Sequence, residues 1–125
     1  MRRKIAIIDD EVDIGYLLKS NIGSDKFEVV CFQDLITGLS SLKELNPQFL
    51  FLDINFPNGN GLDHIGHIKT LLPNCFIIVI SAHDEIKQIL AAKSAGANDF
   101  IPKPFTRDLI LDRLNKYTSN PNLTI

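Results

Sequence analysis

The chain has 125 residues, 45% of them apolar, with 13 basic against 15 acidic side chains and a formal net charge of -2. That length suits one compact domain, and that apolar content excludes a disordered chain. The near-neutral balance argues against a dedicated nucleic-acid surface, which is usually basic, and no stretch approaches the roughly 20 apolar residues of a membrane span.

The N-terminus, "MRRKIAIID", begins basic but meets acids too soon for a signal peptide. A soluble cytoplasmic protein is therefore the expectation. "KIAII" (4–8) is a short apolar run and predicts a buried strand. Ile14, Leu17 and Leu18 then share a helical face, and Gly23 can close that helix. "FEVVCF" (27–32) mixes a charge with β-branched residues, as an edge strand does. Leu35, Leu39 and Leu42 mark a second helix, with Asp34 as its N-cap and Pro47 beyond its end.

"QFLFLD" (48–53) is apolar between its two end residues and predicts a central strand. "NFPNGNG" (55–61) predicts a loop. Leu62, Ile65 and Leu72 mark a third helix that Pro73 ends, and "CFIIVIS" (75–81) is the most apolar strand. Ile86, Ile89 and Leu90 mark a fourth helix closed by Gly96, "DFI" (99–101) a last strand, and Leu109, Ile110, Leu114 and Tyr117 a fifth helix. Cys31 and Cys75 both fall in strand-like runs and read as buried thiols in a reducing compartment. The domain is expected over 1–118, with 119–125 a C-terminal tail or the start of a linker.

Five βα repeats predict a doubly wound α/β fold, a five-stranded parallel sheet covered on both faces. Ligands of such sheets bind beyond the carboxyl ends of the strands. The residues expected there are Asp9, Asp10 and Glu11 after the first strand, and Asp53 and Asn55 after the third. Ser81 follows the fourth strand, and Lys103 and Pro104 the fifth. Close carboxylates cannot all stay charged without a counter-ion or raised pKa values. A hard divalent cation such as Mg²⁺, which takes oxygen ligands, removes the conflict. Cation plus lysine suits the stabilisation of a phosphoryl group in transfer, and a carboxylate can itself be the nucleophile.

Four pieces in order, "IIDDE", "FLDINFPNGNGL", "VISAHD" and "AGANDFIPKPF", make the sequence resemble the receiver domain of two-component response regulators from residue 4 to about 117. The resemblance implies the flavodoxin-like strand order 2-1-3-4-5. It implies Asp53 as phosphate acceptor, and Mg²⁺ (or Mn²⁺) held by Asp10, Asp53 and the backbone carbonyl of Asn55, with Asp9 acting through a water. Ser81 and Lys103 would bind the phosphoryl group, Lys103 pairing with Asp53 at rest. The Lys103–Pro104 peptide would be cis, and Ser81 and Phe100 would form the switch that repacks the surface of the fourth helix, fifth strand and fifth helix. The donor would be a sensor histidine kinase or a histidine phosphotransfer protein, and the signal would pass to an output domain or a downstream protein.

Phe100 is often tyrosine in that family, so switching here would rest on burial alone. Ser81 for threonine loses only a methyl. Asn55 and His83 occupy positions that tune the lifetime of the acyl phosphate. His64 and His67, at i and i+3, read as exposed helix residues rather than chelators. Asp99 and Arg113 match part of a charged set used in one phosphorylation-dependent homodimer, but Ile89 and Leu109 stand where further charges belong. An Mg²⁺-dependent aspartyl-phosphate phosphatase would carry a second aspartate two residues after its nucleophile, where Asn55 stands. A nucleotide or flavin module would need a Gly-rich loop after the first strand. A receiver that only docks, without phosphorylation, would not need the full set of acids, Ser81 and Lys103.

Overall fold

A computed structural model describes residues 3–23, 26–57, 59–83 and 85–118; the expected tail, 119–125, lies outside them. Five strands, β1 (Arg3–Ile8), β2 (Phe27–Phe32), β3 (Phe49–Asp53), β4 (Phe76–Ser81) and β5 (Asp99–Pro102), form a parallel sheet in the order β2-β1-β3-β4-β5. This is the doubly wound order expected. β3 and β4 are buried at every position, as strands covered on both faces must be. β2, at the edge, exposes Glu28.

Strand alternation divides the core into two layers. Ala6, Ile8, Leu50, Leu52, Ile77 and Val79 point to one face, where they meet α2 (Leu35–Leu45), α3 (Ile65–Leu71) and α4 (Ile86–Ala95). Ile5, Ile7, Phe49, Phe51, Ile78 and Ile80 point to the other, under α1 (Val12–Ile22) and α5 (Arg107–Thr118). Each buried aliphatic side chain contributes about 1.5–3 kcal/mol. At the amino ends of the strands Phe27, Phe49, Phe76 and Tyr117 stack in series, with ring centroids 4.8–5.9 Å apart. The Tyr117 hydroxyl donates to the Asn98 carbonyl at 2.8 Å, which pins α5 to the start of β5. The far end of the sheet is thus closed by aromatic rings.

Helix ends follow local chemistry. Asp34 accepts from the Thr37 amide at 2.9 Å and caps α2. Gly96 ends α4 at φ 117°, a conformation side chains resist. The predicted faces need correction at three residues. Leu17 is 45% exposed, while α1 buries Gly15 and Leu18. Ile86 and Leu90 are 75% and 59% exposed. The inward row of α4 is Ile89, Ala92 and Ala95, three apart, and Ile86 and Leu90 lie on a row turned outward. Cys31 is half-buried rather than buried, Cys75 is buried, and both are free thiols.

Residues 55–56 and 59–64 are more ordered than a loop. Asn55–Phe56 pairs antiparallel with Gly59–Asn60, and Gly61–His64 is a 3₁₀ turn whose first amides include Leu62 N–H, donated to Asn60 Oδ1 at 2.9 Å. Gly61 permits this return path. Its N–H donates to the Ile54 carbonyl at 2.9 Å, and a Cβ there would lie 2.6 Å from the Asp53 carbonyl oxygen and 3.0 Å from Ile54 Cα. Both neighbours are backbone, so neither can swing away. Gly61→Ala is expected to destabilise the domain by about 2–3 kcal/mol, read as a lower urea midpoint at unchanged slope. An unshifted midpoint would mean that this close approach relaxes freely. Among the described residues no helix is long and apolar enough to cross a membrane.

Candidate functional site

The carboxyl ends of β1, β3, β4 and β5 bring the polar residues together at the edge opposite the aromatic rings. Asp9 follows β1 and is 2% exposed. Its amide donates to the Phe32 carbonyl at 3.0 Å, and its Oδ1 accepts from the Glu11 amide at 2.9 Å. Asp10 beside it is exposed, and Glu11 is the N-cap residue of α1. Asp53 ends β3 at 3% exposure, with Oδ1 accepting from the Asn55 amide at 3.2 Å. Ser81 ends β4 and is wholly buried. Its Oγ accepts from the His83 amide and from Asn55 Nδ2, both at 3.0 Å.

Lys103 enters from the end of β5. Its amide donates to the Ser81 carbonyl at 2.8 Å, and the Lys103–Pro104 peptide is cis. Its Nζ lies 2.9 Å from Asp9 Oδ2, 3.1 Å from Glu11 Oε1 and 3.5 Å from Asp53 Oδ2. The shortest of these contacts is therefore with Asp9. The Glu11 contact had no sequence signal beyond its place at a helix start. Asp9 Oδ2 is a buried oxygen whose one close partner among the described residues is this ammonium.

These contacts set the charges. Burial, then the neighbouring Asp9 charge, push Asp53 up to about 6, against the pull of the Asn55 amide and Lys103. Burial also raises Asp9, opposed by the Glu11 amide and Lys103. Lys103 is penalised by burial, but its hydrogen bond to Asp9 and the charges of Asp53 and Asp9 outweigh that and raise it. The pocket thus holds more negative charge than its one ammonium balances.

A divalent cation fits this donor set. Carboxylate oxygens of Asp9, Asp10, Glu11 and Asp53 all lie within 4.8 Å of one another, and Asp9 Oδ2 has no close partner beyond the Lys103 ammonium among the described residues. Two oxygens on one ion stand at most about 4.2 Å apart for Mg²⁺ and about 5 Å for Ca²⁺, which turns of the exposed Asp10 and Glu11 side chains can meet. The donors are all oxygens, as a hard ion prefers. Millimolar Mg²⁺ is expected to raise the melting temperature by several degrees at pH 7.5. The gain should fade towards pH 4, where Asp53, with its pKa pushed up to about 6, is protonated. A shift that ignores pH would place the ion elsewhere.

The remaining predicted residues lie apart from the acids. Phe100 is buried at 8% exposure in the layer beneath α4. The His83 side chain is exposed while its amide serves Ser81. His67 is exposed and His64 half-buried. Arg113 Nε stands 2.9 Å from Asp99 Oδ2, an intramolecular pair. The side-chain link from Asn55 to Ser81 has no counterpart in the sequence reading, which used only the Asn55 carbonyl and its tuning position.

The family described as response regulator receiver domain matches residues 5–115. The chain is 35% identical over 119 residues to the chemotaxis protein CheY of Thermotoga maritima, covering 93% of this chain and 98% of that one. It is 32% identical over 117 residues to CheY of Bacillus subtilis, with the same coverage. The BeF3-activated receiver domain of DrrB, a Thermotoga maritima protein, superposes with a TM-score of 0.88 at 24% identity, over 96% of this chain and all of that one. That last likeness bears on the fold.

Proposed function

The chain belongs to the response regulator receiver family, and from that premise we propose that Asp53 accepts a phosphoryl group from a phosphohistidine on a sensor kinase or a histidine phosphotransfer protein. One observation carries the reading: two buried acids at neighbouring strand ends, Asp9 and Asp53, face a single lysine. An Asp53 carboxylate oxygen attacks phosphorus in line, the N–P bond breaks, and its electron pair returns to the imidazole nitrogen. With a pKa of about 6, Asp53 is mostly the ionised nucleophile at pH 7.5.

Lys103 offsets charge as it gathers on the phosphoryl oxygens. Asp10, Asp53 and the Asn55 carbonyl would hold Mg²⁺ or Mn²⁺, with Asp9 acting through a water. When bound, the ion supplies a second positive charge beside the same oxygens. Ser81 then hydrogen-bonds the phosphoryl group, and Phe100, already buried under α4, repacks there. The surface of α4, β5 and α5 changes for an output domain or downstream protein, a shift between two existing states. Incubation with acetyl phosphate and Mg²⁺ should add one phosphoryl group per chain by mass spectrometry. A chain that gains none under these conditions is not a phosphoacceptor.

A further inference from the structure

Ser81 Oγ has two lone pairs and one proton. Both lone pairs are engaged, one by the His83 amide and one by Asn55 Nδ2, each at 3.0 Å. The hydroxyl belongs to a residue with no exposed surface, and it donates no hydrogen bond among the described residues. With two donors seated, the O–H bond is left only the remaining tetrahedral direction. The same Asn55 donates its backbone N–H to Asp53 Oδ1 at 3.2 Å. One residue therefore grips the carboxylate with its backbone and the hydroxyl with its side chain.

We propose that Asn55 is a positioning residue: its side-chain amide, with the His83 N–H, occupies the lone pairs of Ser81 Oγ and reserves the hydroxyl proton for a phosphoryl oxygen on Asp53. The proposal rests on Asp53 being the acceptor. A serine left to rotate could offer a lone pair to the phosphoryl group and repel it. A serine held by two donors can offer only its proton. The orientation exists before transfer, so no reorganisation is needed as charge develops. His83 takes part through its main chain, which side-chain substitution leaves in place.

The rival explanation is that the Asn55 side chain merely anchors the 55–61 segment. A double-mutant cycle, with Mg²⁺ affinity measured for each variant, separates the two. The initial rate of phosphoryl gain from acetyl phosphate is measured for the parent chain, Asn55→Leu, Ser81→Ala and the double variant, at saturating Mg²⁺. Asn55→Leu keeps the backbone groups and removes the donor, and Asn55→Ala serves if leucine disturbs folding. Ser81→Ala should slow labelling about tenfold or more, as loss of a charge-assisted hydrogen bond does. Asn55→Leu should slow it about three- to tenfold, on the same scale. In the Ser81→Ala background the Asn55 change should have no effect beyond about twofold, the usual error of such cycles. Losses that multiply in the double variant overturn the positioning role, because donor and hydroxyl then act separately. An anchor made through Ser81 Oγ would also slacken the segment that carries the Asn55 carbonyl, so a loss of Mg²⁺ affinity in Asn55→Leu that matches its loss of rate overturns it too. If the parent chain itself takes up no phosphoryl group, the acceptor assignment falls, and this proposal with it.

Discussion

Asp53→Asn is expected to abolish phosphoryl uptake and, in the same protein, to raise the melting temperature. The first effect follows because a carboxamide oxygen is a poor nucleophile. The second follows from linkage. The folded-state pKa of Asp53, about 6, stands above its ordinary 3.8. Between those values the folded chain holds a proton that the unfolded chain releases, so stability falls as pH rises through the interval. Above pH 6 the full cost of the buried charge is present, on the order of 3 kcal/mol. Asparagine has the same shape and no charge, and Lys103 keeps Asp9 and Glu11 as partners. Thermal melts without divalent ions, from pH 4 to pH 8, should show the variant ahead by several degrees at pH 7.5 and level with the parent near pH 4. A variant less stable at pH 7.5 would mean that attraction to Lys103 outweighs burial and the Asp9 charge.

Lys103→Met should slow phosphoryl transfer by about 10²–10³-fold, the usual loss when one charge-stabilising donor is removed. It should also tighten Mg²⁺ binding. Lys103 Nζ sits within 3.5 Å of three carboxylates, closest to the buried Asp9 Oδ2. A bound cation must share those oxygens with the ammonium. Methionine keeps most of the stem, whose side chain is only 9% exposed, and removes the competing charge. The cost is stability. Breaking a buried pair from one side typically loses about 3–5 kcal/mol, and the exposed Glu11 arm adds little to that. The loss should be largest at pH 7.5 without Mg²⁺ and recover when Mg²⁺ is added or the acids are protonated. Calorimetric titration and labelling rates read the two effects separately. Equal or weaker Mg²⁺ binding by the variant would show that lysine and ion use different oxygens.

Much of this architecture is legible in the sequence, for physical reasons. β3 and β4 are apolar wherever they are buried, save for the acid and hydroxyl that end them, and such runs admit few alternatives to a doubly covered strand. The acids, Ser81 and Lys103 fall at strand ends, and parallel topology gathers strand ends without further information. Helix phase is less legible. Ile86 and Leu90 show helical spacing, but spacing leaves the inward side open, and the small residues Ala92 and Ala95 take it. The links between side chains are least legible. Glu11 meets Lys103 across 92 positions and Asn55 meets Ser81 across 26, and each depends on rotamers rather than on pattern.

The floor of the site is made of β3 and β4, whose residues are buried without exception and whose amides lie inside the sheet. Such amides exchange with solvent only when the whole domain opens, whereas the amides of the exposed Asn55, Gly59 and Asn60 are expected to exchange through local openings. Isotope exchange therefore carries two clocks in one molecule, one set by global unfolding and one by the rim. A chemical event on Asp53 that leaves the slow clock nearly untouched while resetting the fast one would mark the strands as a fixed bench. The message would then travel sideways across the strand ends.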